Sequence, residues 1–340
     1  MSDCTSLELP FPHRRSPHQA GAAAHHRLWL DRHRQLTAGI TEPAYEHWDV
    51  SELAAFCYPE AGPDELGLAA DLLGFYFLFD DQFDTELGQH PAEVARICDR
   101  LCGITHGTAA FAATTPFGSS APSTSPVPSA SSAPPTPSAT EHAFADLWRR
   151  SQRGMSARWR ARAAYNWEWY FASHPAEAAG RAFAELPDRE SYLVLRRGTA
   201  AMETLFDMIE RLGHFEVPQS AFHHPVLRRL RQLAADIPSF SNDVRSYPLE
   251  APRGDVYNLV MIVQQERGCP ADEASAVVLA EAQLMINQFA ELRLQLADVY
   301  NQLELDAAQR GAVQRYADGL AAWLAGYLRW EGRTGRYRAG

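Results

Sequence analysis

Lysine is absent from the 340 residues, so all 31 basic side chains are arginines. That excludes Schiff-base catalysis and the lysine of a phosphate-binding P-loop. Any phosphate group must then be held by Arg or by metal. Cysteine is scarce: Cys4, Cys57, Cys98, Cys102 and Cys269 are odd in number and irregularly spaced, which indicates buried thiols rather than a disulfide framework or a zinc site. No apolar run is long enough to span a bilayer, and the opening MSDCTSLELPFPHRRSP has no apolar core of signal-peptide length. A cytoplasmic protein without membrane insertion is expected. With 42 acidic residues the formal charge is -11, and no basic tract is long enough to follow a phosphate backbone, so nucleic acid is excluded as a partner.

Alternating, strand-like runs are also scarce. What is present, from about Gln19 onward, is apolar residues at helical spacing, in segments separated by Pro, Gly or Asp. The spacing predicts an all-α bundle with helices near 19–38, 42–56, 64–86, 91–105, 141–172, 189–213, 222–236, 239–250, 256–266, 271–301 and 306–331. With 46% hydrophobic residues, the chain is expected to form one catalytic domain over 1–340. Thr114 to Thr140 departs from the pattern. It is almost wholly Pro, Ser, Thr and Ala, too poor in bulky apolar groups to offset the entropy of ordering, and is expected to be a disordered insertion within that domain.

The segment Asp71-Leu-Leu-Gly-Phe-Tyr-Phe-Leu-Phe79 is apolar nearly all round, as in a helix buried at the centre of a bundle. It runs into Asp80, Asp81 and Asp84, with Asp80 and Asp84 one turn apart on one face. Three carboxylates at a helix C-terminus repel one another and the negative end of the helix dipole. Magnesium would relieve both, because it takes a few carboxylate oxygens and fills its remaining positions with water and substrate phosphate. An acidic helix end paired with Arg is the alternative. Further on, Asn242, Ser246 and Glu250 fall at i, i+4 and i+8, a stripe about 12 Å long on a helix. Amide, hydroxyl and carboxylate oxygens form a hard ligand set suited to magnesium, and a plain polar helix face is the competing reading.

Together, an apolar helix ending in DDxxD and a later NDxxSxxxE resemble the class I terpene synthases, specifically the bacterial sesquiterpene cyclases. The resemblance extends from about Pro10 to the C-terminus, apart from the Ser/Pro insertion. It implies the α-helical bundle of that family, with a central apolar active-site cavity and three Mg2+ ions held between the two motifs. Asp80 would be the principal aspartate ligand, supported by Asp81 and Asp84, with Asn242, Ser246 and Glu250 around the third ion.

It further implies a diphosphate-sensing arginine at Arg196, 46 residues before Asn242, with Arg197 as the close rival. A planar guanidinium can grip phosphate oxygens through two parallel hydrogen bonds. Thr199 becomes the linker, and Ala200 the residue at a helix break whose carbonyl points into the cavity. Arg336 and Tyr337 resemble the family's terminal RY pair, which closes over the diphosphate; a frayed tail is the other reading. Leu249 stands where many members carry Lys, which shifts diphosphate binding onto Arg196 and Arg336. Tyr76, Phe77 and Trp330 are expected cavity walls, with Phe83, Phe206, Phe240 and Met202 as further candidates. Pro248 should kink the last turn of its helix.

The implied reaction is magnesium-dependent ionisation of a prenyl diphosphate, with farnesyl diphosphate the first choice. Cyclisation of the cation to a sesquiterpene hydrocarbon or alcohol would follow. The rivals are a cyclase of geranylgeranyl diphosphate, a chain-elongating prenyltransferase, and a non-catalytic isoprenoid-binding module. Monomer and homodimer are both compatible with the sequence.

Overall fold

The computed structural model describes residues 7–36, 42–108, 137–183, 186–253 and 255–337. Residues 114–136 of the Ser/Pro-rich segment lie outside them. Among the described residues there is no strand. The helices are α1 (Gln19–His33), α2 (Glu42–Glu46), α3 (Val50–Cys57), α4 (Pro63–Asp81), α5 (Pro91–Thr105), α6 (Ala139–Ser151), α7 (Ala157–Phe183) and α8 (Arg189–Thr199). They continue with α9 (Met202–Leu212), α10 (Gln219–Phe222), α11 (Pro225–Glu250), α12 (Leu259–Arg267), α13 (Ala271–Leu294), α14 (Leu296–Gln302) and α15 (Ala307–Glu331).

Several expected helices are broken, each for a local reason. The expected 42–56 helix divides at Asp49, which has φ +51° and accepts the Glu52 N–H as the cap of α3. The expected 141–172 helix begins earlier, where Ser138 and Glu141 form a reciprocal capping box, and divides at Gly154, whose φ of +78° needs no Cβ clearance. Conversely, 222–236 and 239–250 are one helix: α11 runs through Pro238 and on through Pro248 to Glu250. The stretch expected to break at Ala200 breaks there, with Ala201 in the left-handed region at φ +58° between α8 and α9. The 64–86 helix stops at Asp81 and passes into 3₁₀ turns at Gln82–Asp84 and Glu86–Gln89.

Hydrophobic burial places α4 at the centre. Leu66, Ala70, Leu72, Phe75 and Phe79 are essentially inaccessible, and α4 is flanked by α1, α3, α6 and α9. On the other side of the molecule α11 packs against α13, α15, α12 and α8. The helices α3, α4, α7, α8, α9, α11 and α15 all contribute side chains to one central cavity. Close approach of α15 to α3 depends on Gly326, where a Cβ would stand 2.5 Å from the Phe56 carbonyl group and 2.7 Å from the Cys57 nitrogen. Gly326→Ala must therefore push two backbones apart. A loss of about 1–3 kcal/mol is expected from such overpacking, read as a lower urea midpoint at unchanged slope. An unchanged midpoint would show that the two helices separate freely.

Candidate active site

The cavity has a volume of about 180 Å³ and opens at one mouth. Its depth is apolar, with Leu53, Leu73, Tyr76, Phe77, Met202, Leu205 and Trp323 on the walls, and its rim is ionic. Of the residues singled out in the sequence, Tyr76, Phe77, Asp80, Asp84, Arg196, Thr199, Ala200, Asn242, Ser246, Glu250, Arg336 and Tyr337 all line it. Two do not. Trp330 is fully buried behind Phe77, stacked on it at 5.6 Å with its indole N–H donating to the Trp48 carbonyl, so it supports the wall from behind. Asp81 turns away from the lining and receives both terminal nitrogens of Arg336.

On the α4 side, Asp80 stands against α7. Burial, followed by the nearby Glu177 charge, raises its carboxyl pKa. Burial and Asp80 likewise push Asp84 up to about 7. For Glu177 burial acts in the same direction, but Arg181 and His174 outweigh it and hold it at about 2. Arg181 is the local counter-charge, 3.2 Å from Glu177, 3.6 Å from Asp255 and 3.8 Å from Asp84.

Across the mouth, the α11 stripe is tied to α8 and α12. Arg196 donates to the Asn242 side-chain oxygen at 2.6 Å and lies 3.2 Å from Asp243. Asp243 also accepts from the Tyr192 hydroxyl and, at 2.9 Å, from the Leu259 N–H. Arg197, the rival for the diphosphate role, is spent on Asp236 through two bonds of 2.7 and 2.8 Å. Asn258 donates to Glu250 at 2.8 Å, and burial with repulsion from Asp243 still lifts Glu250 to about 7.

The C-terminal segment is not frayed. Gly335 N–H donates to His47 O, Thr334 Oγ1 to Trp48 O, and Asn242 to the Tyr337 hydroxyl at 2.8 Å. The Arg336 guanidinium lies 4.4 Å from the Trp48 ring centre and 4.5 Å from that of Phe77, so cation–π contacts hold it beside Asp81.

The donor set fits a hard divalent cation. Carboxylates gather on both rims with raised pKa values, and the buried Ser246 hydroxyl faces Glu250, one turn further along α11. The shifts have a measurable consequence. Free carboxyls titrate near pH 4, so stability that Asp84 and Glu250 permit is complete below about that pH and is lost as pH rises through about 7. In chelator the melting temperature should fall between about pH 4 and about pH 7. Glu250→Gln should flatten that fall, and added Mg2+ should oppose it. An equally steep fall in the variant would contradict the assignment.

Sequence reading passed over His174, Glu177, Arg181, Asp243 and Asp255. The first three occur at i, i+3 and i+7 on α7, a spacing that marks one helix face and was open to detection. Asp243 lies inside a motif already noticed, yet only its three partners reveal its role.

The family described as "Terpene synthase family 2, C-terminal metal binding" matches residues 71–288, which supports a divalent metal cofactor. Pentalenene synthase of Streptomyces avermitilis is 33% identical over 100% of this chain and 94% of its own length. A (-)-beta-caryophyllene synthase of Saccharothrix espanaensis, named as cyclising (2E,6E)-farnesyl diphosphate, is 32% identical over 98% of this chain and 89% of its own. The crystal structure of germacradien-4-ol synthase from Streptomyces citricolor superposes with a TM-score of 0.84 at 58% identity, covering 98% of this chain and 100% of that one.

Proposed function

The chain belongs to the terpene synthase family, and from that membership we propose that it ionises farnesyl diphosphate with Mg2+ and cyclises the carbocation to a sesquiterpene, releasing diphosphate. The observation that carries this reading is the pairing of two oxygen-rich rims with an apolar, aromatic cavity beneath them. Asp80 and Asp84 on one rim, and Asn242, Ser246 and Glu250 on the other, would hold three Mg2+ ions. Ions held by these residues would supply Lewis-acid charge against the diphosphate leaving group.

Arg196 presents its guanidinium at the mouth, where it would bind phosphate oxygens in place of Asn242. Arg336 and Tyr337 close the mouth from the C-terminal side. Releasing Arg336 from Asp81 would free both partners, one for phosphate and one for metal. Thr199 and Ala200 sit at the α8–α9 break, between Arg196 and the apolar wall. Below them Tyr76 and Phe77 offer ring faces that stabilise passing positive charge without acting as nucleophiles. Tyr76 is fixed by stacking on Trp167 at 5.1 Å and by its hydroxyl contact with Thr204, which keeps that oxygen occupied. Exclusion of water by these walls favours ring closure over hydrolysis. The whole chain would act as one catalytic domain.

The test is product analysis by gas chromatography with mass detection after incubation with geranyl, farnesyl and geranylgeranyl diphosphate, with and without Mg2+. Cyclic C15 products from farnesyl diphosphate, formed only with Mg2+, are expected. Cyclic C20 products alone would reassign the substrate. Longer linear diphosphates on adding isopentenyl diphosphate would make the protein a prenyltransferase.

A further inference from the structure

His174 shares a face of α7 with Tyr170, Glu177 and Arg181, which line the cavity, and lies just behind that lining. It is 2% exposed, and neither ring nitrogen has a hydrogen-bond partner among the described residues. A buried imidazole ordinarily uses at least its N–H, because a buried polar atom left unmet carries its full desolvation penalty. The ring is held in place by Phe79, Phe83 and Tyr170, with centroid distances of 5.2, 5.1 and 4.7 Å. Its Nδ1 faces Glu177 Oε2 at 3.8 Å, too far for a hydrogen bond. The other Glu177 oxygen, Oε1, is engaged by Arg181. One donor atom each from Asp80, His174 and Glu177 lie within 4.8 Å of one another. Asp80 and Glu177 open onto the cavity, so an ion has a route in.

We propose that Asp80, His174 and Glu177 form a mixed nitrogen–oxygen site that takes a divalent first-row transition ion in preference to Mg2+. The inference rests on Asp80 being a metal ligand, as proposed above, and adds a nitrogen donor to it. An imidazole adds little to Mg2+, which favours oxygen, but strengthens binding of Mn2+, Co2+ or Zn2+. Two features suit the site to an ion. The aromatic shell fixes the ring, and Arg181 orients Glu177 while leaving Oε2 free. The all-oxygen set of Asn242, Ser246 and Glu250 carries no such preference, so the two rims of the mouth differ in the ions they select.

The probe is Mn2+ added to metal-free protein without substrate, read by pulsed electron paramagnetic resonance. Wild-type protein should show nitrogen-14 modulation that changes to the nitrogen-15 pattern when histidine is isotopically labelled, a readout that needs no mutation. His174→Phe keeps a ring among Phe79, Phe83 and Tyr170. It should abolish the modulation and weaken Mn2+ binding at least ~10-fold, the loss that removal of an outer-shell partner alone can cause, while changing Mg2+ affinity little. Bound Mn2+ without nitrogen modulation, or modulation that survives His174→Phe, overturns the His174 site and leaves the proposed function standing. Failure of the protein to bind Mn2+ at all likewise overturns the His174 site, whereas the proposed function stands or falls on the Mg2+-dependent product analysis.

Discussion

Asp80→Ala is expected to lower kcat/KM with farnesyl diphosphate by at least ~10²–10³-fold, about 3–4 kcal/mol of transition-state stabilisation, while the metal-free protein melts no lower than its parent. The two halves of this result have one cause. Asp80 is desolvated and faces the Glu177 charge, and its carboxyl pKa is raised. A carboxyl raised in this way makes the fold less stable once pH passes through its folded-state value, so removing it costs the metal-free fold nothing through charge. Mg2+ should raise the melting temperature of the parent but much less that of the variant, because an ion that binds only the native state stabilises by mass action, about 2.7 kcal/mol at a hundredfold excess over Kd. Wild-type turnover in the variant, or a fall in its metal-free melting temperature, would remove Asp80 from its assigned role.

Asp243→Ala should behave in the opposite way. Its carboxylate is the point where α8 and α12 are tied to α11: Arg196 and the Tyr192 hydroxyl reach it from α8, and the Leu259 N–H reaches it from the start of α12. Deleting it leaves a buried guanidinium and a buried phenol without this acceptor. Breaking a buried pair from one side costs about 3–5 kcal/mol, a large part of the stability of an ordinary domain. The urea midpoint should drop steeply, and activity should fall as well, because Arg196 loses its buried counter-charge; the Asn258 side chain keeps both the main-chain carbonyl of residue 243 and Glu250, so that side of the rim stays braced. A variant as stable as the parent would mean that Arg196 is satisfied by Asn242 alone. The two aspartates thus separate what this rim needs for chemistry from what it needs for folding.

The same separation explains how much was legible beforehand. Asn242, Ser246 and Glu250 were readable because helical periodicity converts spacing into a shared face, and oxygen donors on one face have a recognisable chemistry; Asp84 follows Asp80 to the cavity only through the 3₁₀ turn after α4, not through the helix that was expected. Arg196 was placed by its resemblance to a known pattern, but its preference over Arg197 was not local information. One guanidinium turns to the cavity and the other to Asp236, and the rotation of α8 against α11 makes that choice. Trp330 has the residue type of a cavity wall, yet Phe77 stands between it and the void.

The amino-acid sequence by itself determined the helical architecture, the burial of α4, the two oxygen-donor stripes and the absence of any lysine chemistry, because each of these follows from residue type and short-range periodicity. The tertiary structure alone decided which groups oppose one another across the mouth. His174, Glu177 and Arg181 come from α7, Asp243 is completed by α8 and α12, and Arg336 reaches Asp81 across 255 residues of chain. Such pairings depend on the close packing of distant helices, and the charge, burial and hydrogen bonding that set the properties of a carboxylate exist only once that packing has formed.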